Sequence, residues 1–192
     1  IVYESLEGNL YKKGKETLIK YASGKKDVSF VIPDSVTLIY SRAFAGCALE
    51  EVVIPDTISY IGAYTFEFAK NLVRVKIPNS VHWIGDYAFY GCTSLTNIVI
   101  PDSVTSMGES VFYGCSSLES ITLPFVGNGS TGSSRYNLFG YIFGTGEKTV
   151  QYYNYNTTKG RFESYVYYIP ESLKHVTVSS GTVPFGAFSN CT

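Results

Sequence analysis

The chain has 192 residues, 45% of them apolar and 16% charged, with a net charge of −1; it is long enough to bury a core and too apolar for a disordered chain. Near-neutrality and a pI of about 6.2 remove any general electrostatic attraction to nucleic acid or an anionic membrane. Seventeen tyrosines and 12 phenylalanines accompany a single Trp and a single Met, and no apolar run approaches the roughly 18–20 residues of a membrane span. Starting at Ile1 with neither initiator Met nor signal peptide, the chain is expected to be a piece of a longer protein.

Residues 1–28 predict two strands, Asn9 to Tyr11 and Thr17 to Tyr21, around a Lys/Gly turn, the form of an N-terminal β-hairpin cap. Six lysines crowd this segment (Lys12, Lys13, Lys15, Lys20, Lys25 and Lys26), offset by Glu4, Glu7, Glu16 and Asp27. A solvated cap face outweighs a polyanion site.

From residue 29 to 124 the sequence repeats. Prolines at 33, 55, 78, 101 and 124 step by 22, 23, 23 and 23, and Phe44, Phe66, Phe89 and Phe112 keep the same step, as do Leu49, Leu72, Leu95 and Leu118. Cys47, Cys92 and Cys115 form another column, which reads as broken at Lys70 with Ala69-Lys70 in place of Gly-Cys. Within one unit Ile98 and Ile100 alternate with Asn97 and Val99 as in a short strand with one face buried, and the proline that follows ends the pairing. Met107, Val111 and Phe112 then sit at helical spacing before Gly114, which predicts one short helical turn. Such a unit cannot bury its apolar face alone, so the units must stack with strands parallel and about 4.8 Å apart. The fold class is therefore an α/β repeat solenoid, a parallel β-sheet on one face and short helical turns on the other. Ser35, Thr57, Ser80 and Ser103 fall in one column after the strand, where hydroxyls satisfy backbone groups at a bend.

The recurrent string, clearest from Ile77 to Pro124, resembles the BspA-like leucine-rich repeats of bacterial and protist surface proteins. The resemblance implies a leucine-rich-repeat solenoid on a secreted or cell-surface protein, extracellular, that attaches to a host or cell-surface protein or glycan.

Residues 125–168 interrupt the pattern. Leu118 to Leu173 is a step of 55, so one repeat carries an insertion of about 32 residues, and the Ile169-Pro170 pair precedes its strand instead of following it. The insertion runs through GNGSTGSS, then NLFGYIFG, then two Tyr-rich stretches that read as an antiparallel hairpin bearing Tyr152, Tyr153, Tyr155, Tyr165, Tyr167 and Tyr168. Tyrosine offers large contact area at low entropic cost, so this insertion is a candidate binding element. The competing reading is that the tyrosines pack the insertion onto the solenoid. Residues 169–192 hold a further repeat that stops short, and the stack is expected to continue beyond it.

Strand alternation turns one set of side chains onto the open sheet face. Its candidate binding residues are Val53, Arg74, Lys76, Asn97, Val99, Thr122 and His175, a mixed surface fit for a protein or glycan, or for an inert spacer. The four cysteines share one structural column, and successive rungs hold their Cβ atoms about 4.8 Å apart, beyond disulfide reach, so buried thiols are expected. Asp34, Asp56, Asn79 and Asp102 also stack, but exposed turns outweigh a cation site. No nucleophile elbow, acid pair or phosphate loop appears. The expectation is a non-enzymatic interaction module without cofactor or metal, monomeric, with no nucleic-acid partner and no membrane insertion; a structural spacer or stalk is the alternative.

Overall fold

The structure, a computed structural model, describes residues 2–129, 135–145, 150–156, 161–181, 183, 187 and 188, with backbone alone at 135, 150–156 and 161–165. In chain order the strands are β1 (Tyr3–Leu6), β2 (Asn9–Lys12), β3 (Thr17–Lys20), β4 (Ser29–Val31), β5 (Leu38–Ile39), β6 (Glu51–Val53), β7 (Tyr60–Ile61), β8 (Arg74–Lys76), β9 (Trp83–Ile84), β10 (Asn97–Val99), β11 (Ser106–Met107), β12 (Ser120–Leu123), β13 (Val150–Asn156), β14 (Arg161–Tyr167) and β15 (His175–Val178).

They wind as a parallel solenoid. On the open face β4 pairs β6 and β6 pairs β8, Phe30 beside Val52 beside Val75; further along, β10 pairs β12 and β12 pairs β15, Ile98 beside Ile121 beside Val176. A second, narrower parallel sheet joins β7, β9 and β11. The register follows from burial: in each three-residue strand the central residue faces the core, so a slip of one position would bury Arg74 and Lys76 and expose Val75. β1, β2 and β3 form an antiparallel meander, and β3 continues it in parallel onto β5, Leu18 beside Ile39. The ammonium of Lys20 ties this meander to the first rung by donating to the carbonyls of Arg42 and Ala45, each at 2.9 Å.

The repeat columns become rows of the core. Phe44, Phe66, Phe89 and Phe112 are fully buried and stack ring on ring, with centroids 5.1, 5.1 and 5.5 Å apart and planes within 17° of parallel. Tyr21 closes one end of this ladder against Phe44 at 5.6 Å, and Phe143 of the insertion meets Phe112 at 6.2 Å at the other. The hydroxyl column is a ladder too. Thr57, Ser80 and Ser103 donate to the carbonyls of Val36, Ile58 and Val81 of the preceding rung at 2.6 to 2.7 Å.

The convex bends differ from the expected helical turns. Among the described residues, helical geometry is confined to 3₁₀ turns at Arg135–Asn137 and Phe139–Ile142, both in the insertion. Elsewhere alternate amides leave the turn: Ala43 N–H bonds back to Tyr40, Phe44 N–H bonds to Thr65 of the next rung, Ala45 returns to Arg42, and Gly46 reaches Glu67. A backbone that spends every second donor on its neighbour has none left for an i to i−4 ladder. This alternation requires left-handed residues, which recur as columns: Arg42, Tyr64, Tyr87 and Ser110 in one, Gly46, Phe68, Gly91 and Gly114 in the other. The second column corrects the sequence alignment. Phe68 and buried Ala69 stand where other units have Gly-Cys, and Lys70 lies one place beyond, exposed.

The insertion joins the stack. Ser110 and Phe112 amides, which in earlier rungs bond the following repeat, bond the carbonyls of Tyr141 and Ile142, so NLFGYIFG supplies the next rung's convex side. β13 and β14 pair antiparallel, Tyr152 opposite Tyr165, Tyr153 opposite Ser164 and Tyr155 opposite Phe162. β15 then resumes beside β12 with Ser120 opposite His175. Among the described residues no helix is long and apolar enough to cross a membrane.

Candidate functional site

The open sheet face presents the outward positions in the expected alternation. Arg74, Lys76, Asn97, Val99 and His175 are exposed, while Val53 and Thr122 are half-buried. Arg74, Lys76, Asn97, Val99 and Thr122 surround one depression of about 530 Å³. Val53 and His175 lie outside it. Residues not singled out as binding candidates complete its rim: Glu51, Asn79, Asp102 and Ser179. Strand alternation already pointed Glu51 outward, and Asn79 and Asp102 belong to the column after the strand. Ser179, one residue past β15, carried no sequence signal; its hydroxyl donates to the Asp102 carboxylate at 2.5 Å.

The tyrosines divide. Tyr167 is buried at 4% exposure and lies so close over Gly140 that a Cβ there would collide with it, which makes it a packing residue. Tyr168 is half-buried, its ring 6.2 Å from that of Tyr113. Tyr152, Tyr153, Tyr155 and Tyr165 are placed by backbone and register alone. No described tyrosine lines the depression.

Another aromatic band follows the convex side. The Arg42 guanidinium lies 4.2 Å from the Tyr64 ring centroid, Tyr64 stacks on Tyr87 at 5.1 Å, and Tyr90 and Tyr113 follow at 5.5 Å. Arg42 also pairs with Glu67 at 2.8 Å, so its charge is already held.

The cysteines behave as small hydrophobes. Cys47, Cys92 and Cys115 are free and buried, and Cys191 lies outside the described residues. Cys92 and Cys115 thiols donate to the carbonyls of Phe66 and Phe89 at 3.2 Å. Burial raises the Cys92 thiol well above its ordinary range and pushes Cys115 up to about 12, so neither is a nucleophile near neutral pH. Lys25 and the Tyr21 hydroxyl hold the Asp27 carboxyl below its usual range, which ties part of the basic N-terminal segment into local pairs. Among the described residues, no cluster of three or more His, Cys, Asp or Glu gathers as a metal site.

Parallel rungs, a phenylalanine ladder and an open strand face define a leucine-rich-repeat solenoid. The chain belongs to the BspA-type leucine-rich-repeat family, whose repeat model matches residues 21–137 in 6 copies. Two solved structures share the fold. One is a leucine-rich cell surface protein of Faecalibacterium prausnitzii, 24% identical, TM-score 0.68, covering 93% of this chain and 40% of that one. The other is the pneumococcal vaccine antigen PcpA, 27% identical, TM-score 0.64, covering 92% of this chain and 43% of that one. The chain thus spans less than half the length of either. It has no match among curated proteins.

Proposed function

We propose that the chain is a non-enzymatic interaction module of an exported or cell-surface protein, and that it grips a macromolecular partner through the open sheet face and the Tyr-rich hairpin. The supporting observation is the convergence of Arg74, Lys76, Asn97, Val99 and Thr122 on one depression of the open face. Family membership and the cell-surface setting of the Faecalibacterium relative favour exposure outside the cell. Residues 1–28 serve as the cap, since the meander pairs with the first rung through β5 and turns Lys12, Lys13 and Lys15 to solvent beside exposed Tyr3 and Leu10.

The test is binding of the labelled chain to mammalian cell surfaces and to immobilised extracellular-matrix proteins. Saturable binding that falls at least tenfold in Arg74→Ser with Val99→Glu, the far-ultraviolet spectrum and melting temperature unchanged, supports the reading. Replacing Tyr152, Tyr153 and Tyr155 by Ser tests the hairpin in the same way. Full binding in both folded variants overturns the proposal, and absence of binding to every surface leaves the chain a spacer.

A further inference from the structure

The open-face sheet is not continuous. β8 is the last strand of one sheet and β10 the first of the next, although the repeat places them on successive rungs. Elsewhere each boundary is closed by the same bonds. Ile54 N–H donates to Lys76 and Ile100 N–H to Thr122 just beyond the strands, while Val73 N–H donates to Glu50 and Glu119 N–H to Thr96 just before them. The equivalents between Ile77 and Val99, and between Thr96 and Val73, are missing among the described residues. The opening reaches inward. Ile77 is half-buried where Ile32, Ile54 and Ile100 are buried, and Val75 shows 8% exposure where Val52 shows none. The side sheet stays intact at the same level, with Ile61 beside Ile84 beside Met107. The break is therefore local, and the depression lies on it.

We propose that this interrupted rung is a binding site for a carboxylate-bearing saccharide. The inference rests on the open-face reading of function and names the ligand class for it. Backbone donors and acceptors that do not bond each other require outside partners, and a polar ligand can supply them. Arg74 and Lys76 flank the break, and among the described residues neither has an ion pair. A guanidinium matches a carboxylate two-pronged, with Lys76 as a second point charge beside it. Asn79, Asn97 and Thr122 add neutral groups suited to hydroxyls. Glu51 and Asp102 are hydroxyl acceptors that repel a densely charged polymer, so the rim favours one acid group among many hydroxyls over a polysulfate or an acidic peptide. The volume, about 530 Å³, falls in the range of roughly 300–1,000 Å³ occupied by small-ligand sites. Val99, 61% exposed, offers an apolar surface to a sugar ring.

The experiment titrates the isotope-labelled whole chain with 3′-sialyllactose and with a hyaluronan tetrasaccharide, against lactose, heparin and a hexaglutamate peptide. Either acidic saccharide is expected to shift the amides of 74–77 and 97–100, with lactose binding at least tenfold more weakly. Arg74→Gln and Lys76→Gln are each expected to weaken that binding at least fivefold without changing the melting temperature. No shift from either acidic saccharide overturns the inference, as does undiminished binding in the folded double variant. Equal or tighter binding of hexaglutamate or heparin also overturns it, by making the site one for acidic protein or polyanion. If cell-surface binding is lost in the open-face variant while neither saccharide competes for it, the functional reading stands and this inference falls. If nothing binds, both fall.

Discussion

Replacing Gly91 by Ala puts two costs on one atom. Gly91 has φ of 70°, so any Cβ there incurs the left-handed penalty of about 1–2 kcal/mol. That Cβ would also sit 2.5 Å from Cδ1 of Phe68, a ring on the rung before it. Phe68 is 43% exposed and able to swing away, but its centroid is 4.5 Å from that of Tyr90, and swinging sacrifices about 0.5–1.5 kcal/mol of ring contact. The expected loss for Gly91→Ala is therefore about 1.5–3.5 kcal/mol. In a Phe68→Gly background the second cost disappears, and the same substitution should cost about 1–2 kcal/mol, the backbone share alone. Urea unfolding of the four proteins of this cycle reads both numbers. A loss below about 0.5 kcal/mol in the original background would refute the left-handed assignment; equal losses in both backgrounds would refute the placement of Phe68 over Gly91.

Phe89→Ala removes a fully buried ring from the middle of the ladder and should cost about 3–5 kcal/mol, seen as a fall of roughly 10 °C in melting temperature; a change under about 3 °C contradicts continuous stacking. Ser80→Ala orphans the Ile58 carbonyl that now accepts at 2.7 Å, for an expected loss of about 1–2 kcal/mol in urea, whereas Ser35→Ala, whose hydroxyl makes no such bond among the described residues, should be near neutral. The buried Cys115 thiol is held neutral up to about 12, against 9.0 when unfolded, so its contribution is complete below pH 9 and declines from there towards 12. Stability measured by urea should accordingly drop by about 1.4 kcal/mol per pH unit from this group alone above pH 9, and Cys115→Ala should flatten that slope; identical slopes would contradict it. At pH 8 a thiol reagent should leave Cys92 and Cys115 unmodified until the chain is unfolded.

The rows of the core were legible because each column repeats one chemical type at one step. Ile54, Phe66 and Leu72 are followed 23 residues later by Ile77, Phe89 and Leu95, and side chains that recur at the rise of a rung must touch. The parallel open face was legible for the same reason, since alternation in Arg74-Val75-Lys76 and Asn97-Ile98-Val99 assigns one face to solvent. The convex turns were not legible because Met107, Val111 and Phe112 have helical spacing, while the path of the backbone depends on left-handed Tyr64, Tyr87 and Ser110, residue types that do not advertise it. For the same reason the Gly-Cys column is hidden in the second unit, where a left-handed Phe68 stands in a glycine's place. Phe143 continues the ladder from inside an insertion whose length hides the step. Of the candidate site, five positions converge as strand alternation alone could suggest. The break between β8 and β10 had no signal, because both strands carry the same pattern as their paired neighbours.

Residue-by-residue amide hydrogen exchange along the column Ile32, Ile54, Ile77 and Ile100 weighs most directly on the claim that a regular stack opens at one rung to make its site. Slow exchange at Ile32, Ile54 and Ile100, whose amides bond Val53, Lys76 and Thr122, with exchange at Ile77 faster by two orders of magnitude or more, is the expected result. Uniform protection at all four would mean that the sheet closes between β8 and β10, and that the depression is only surface relief.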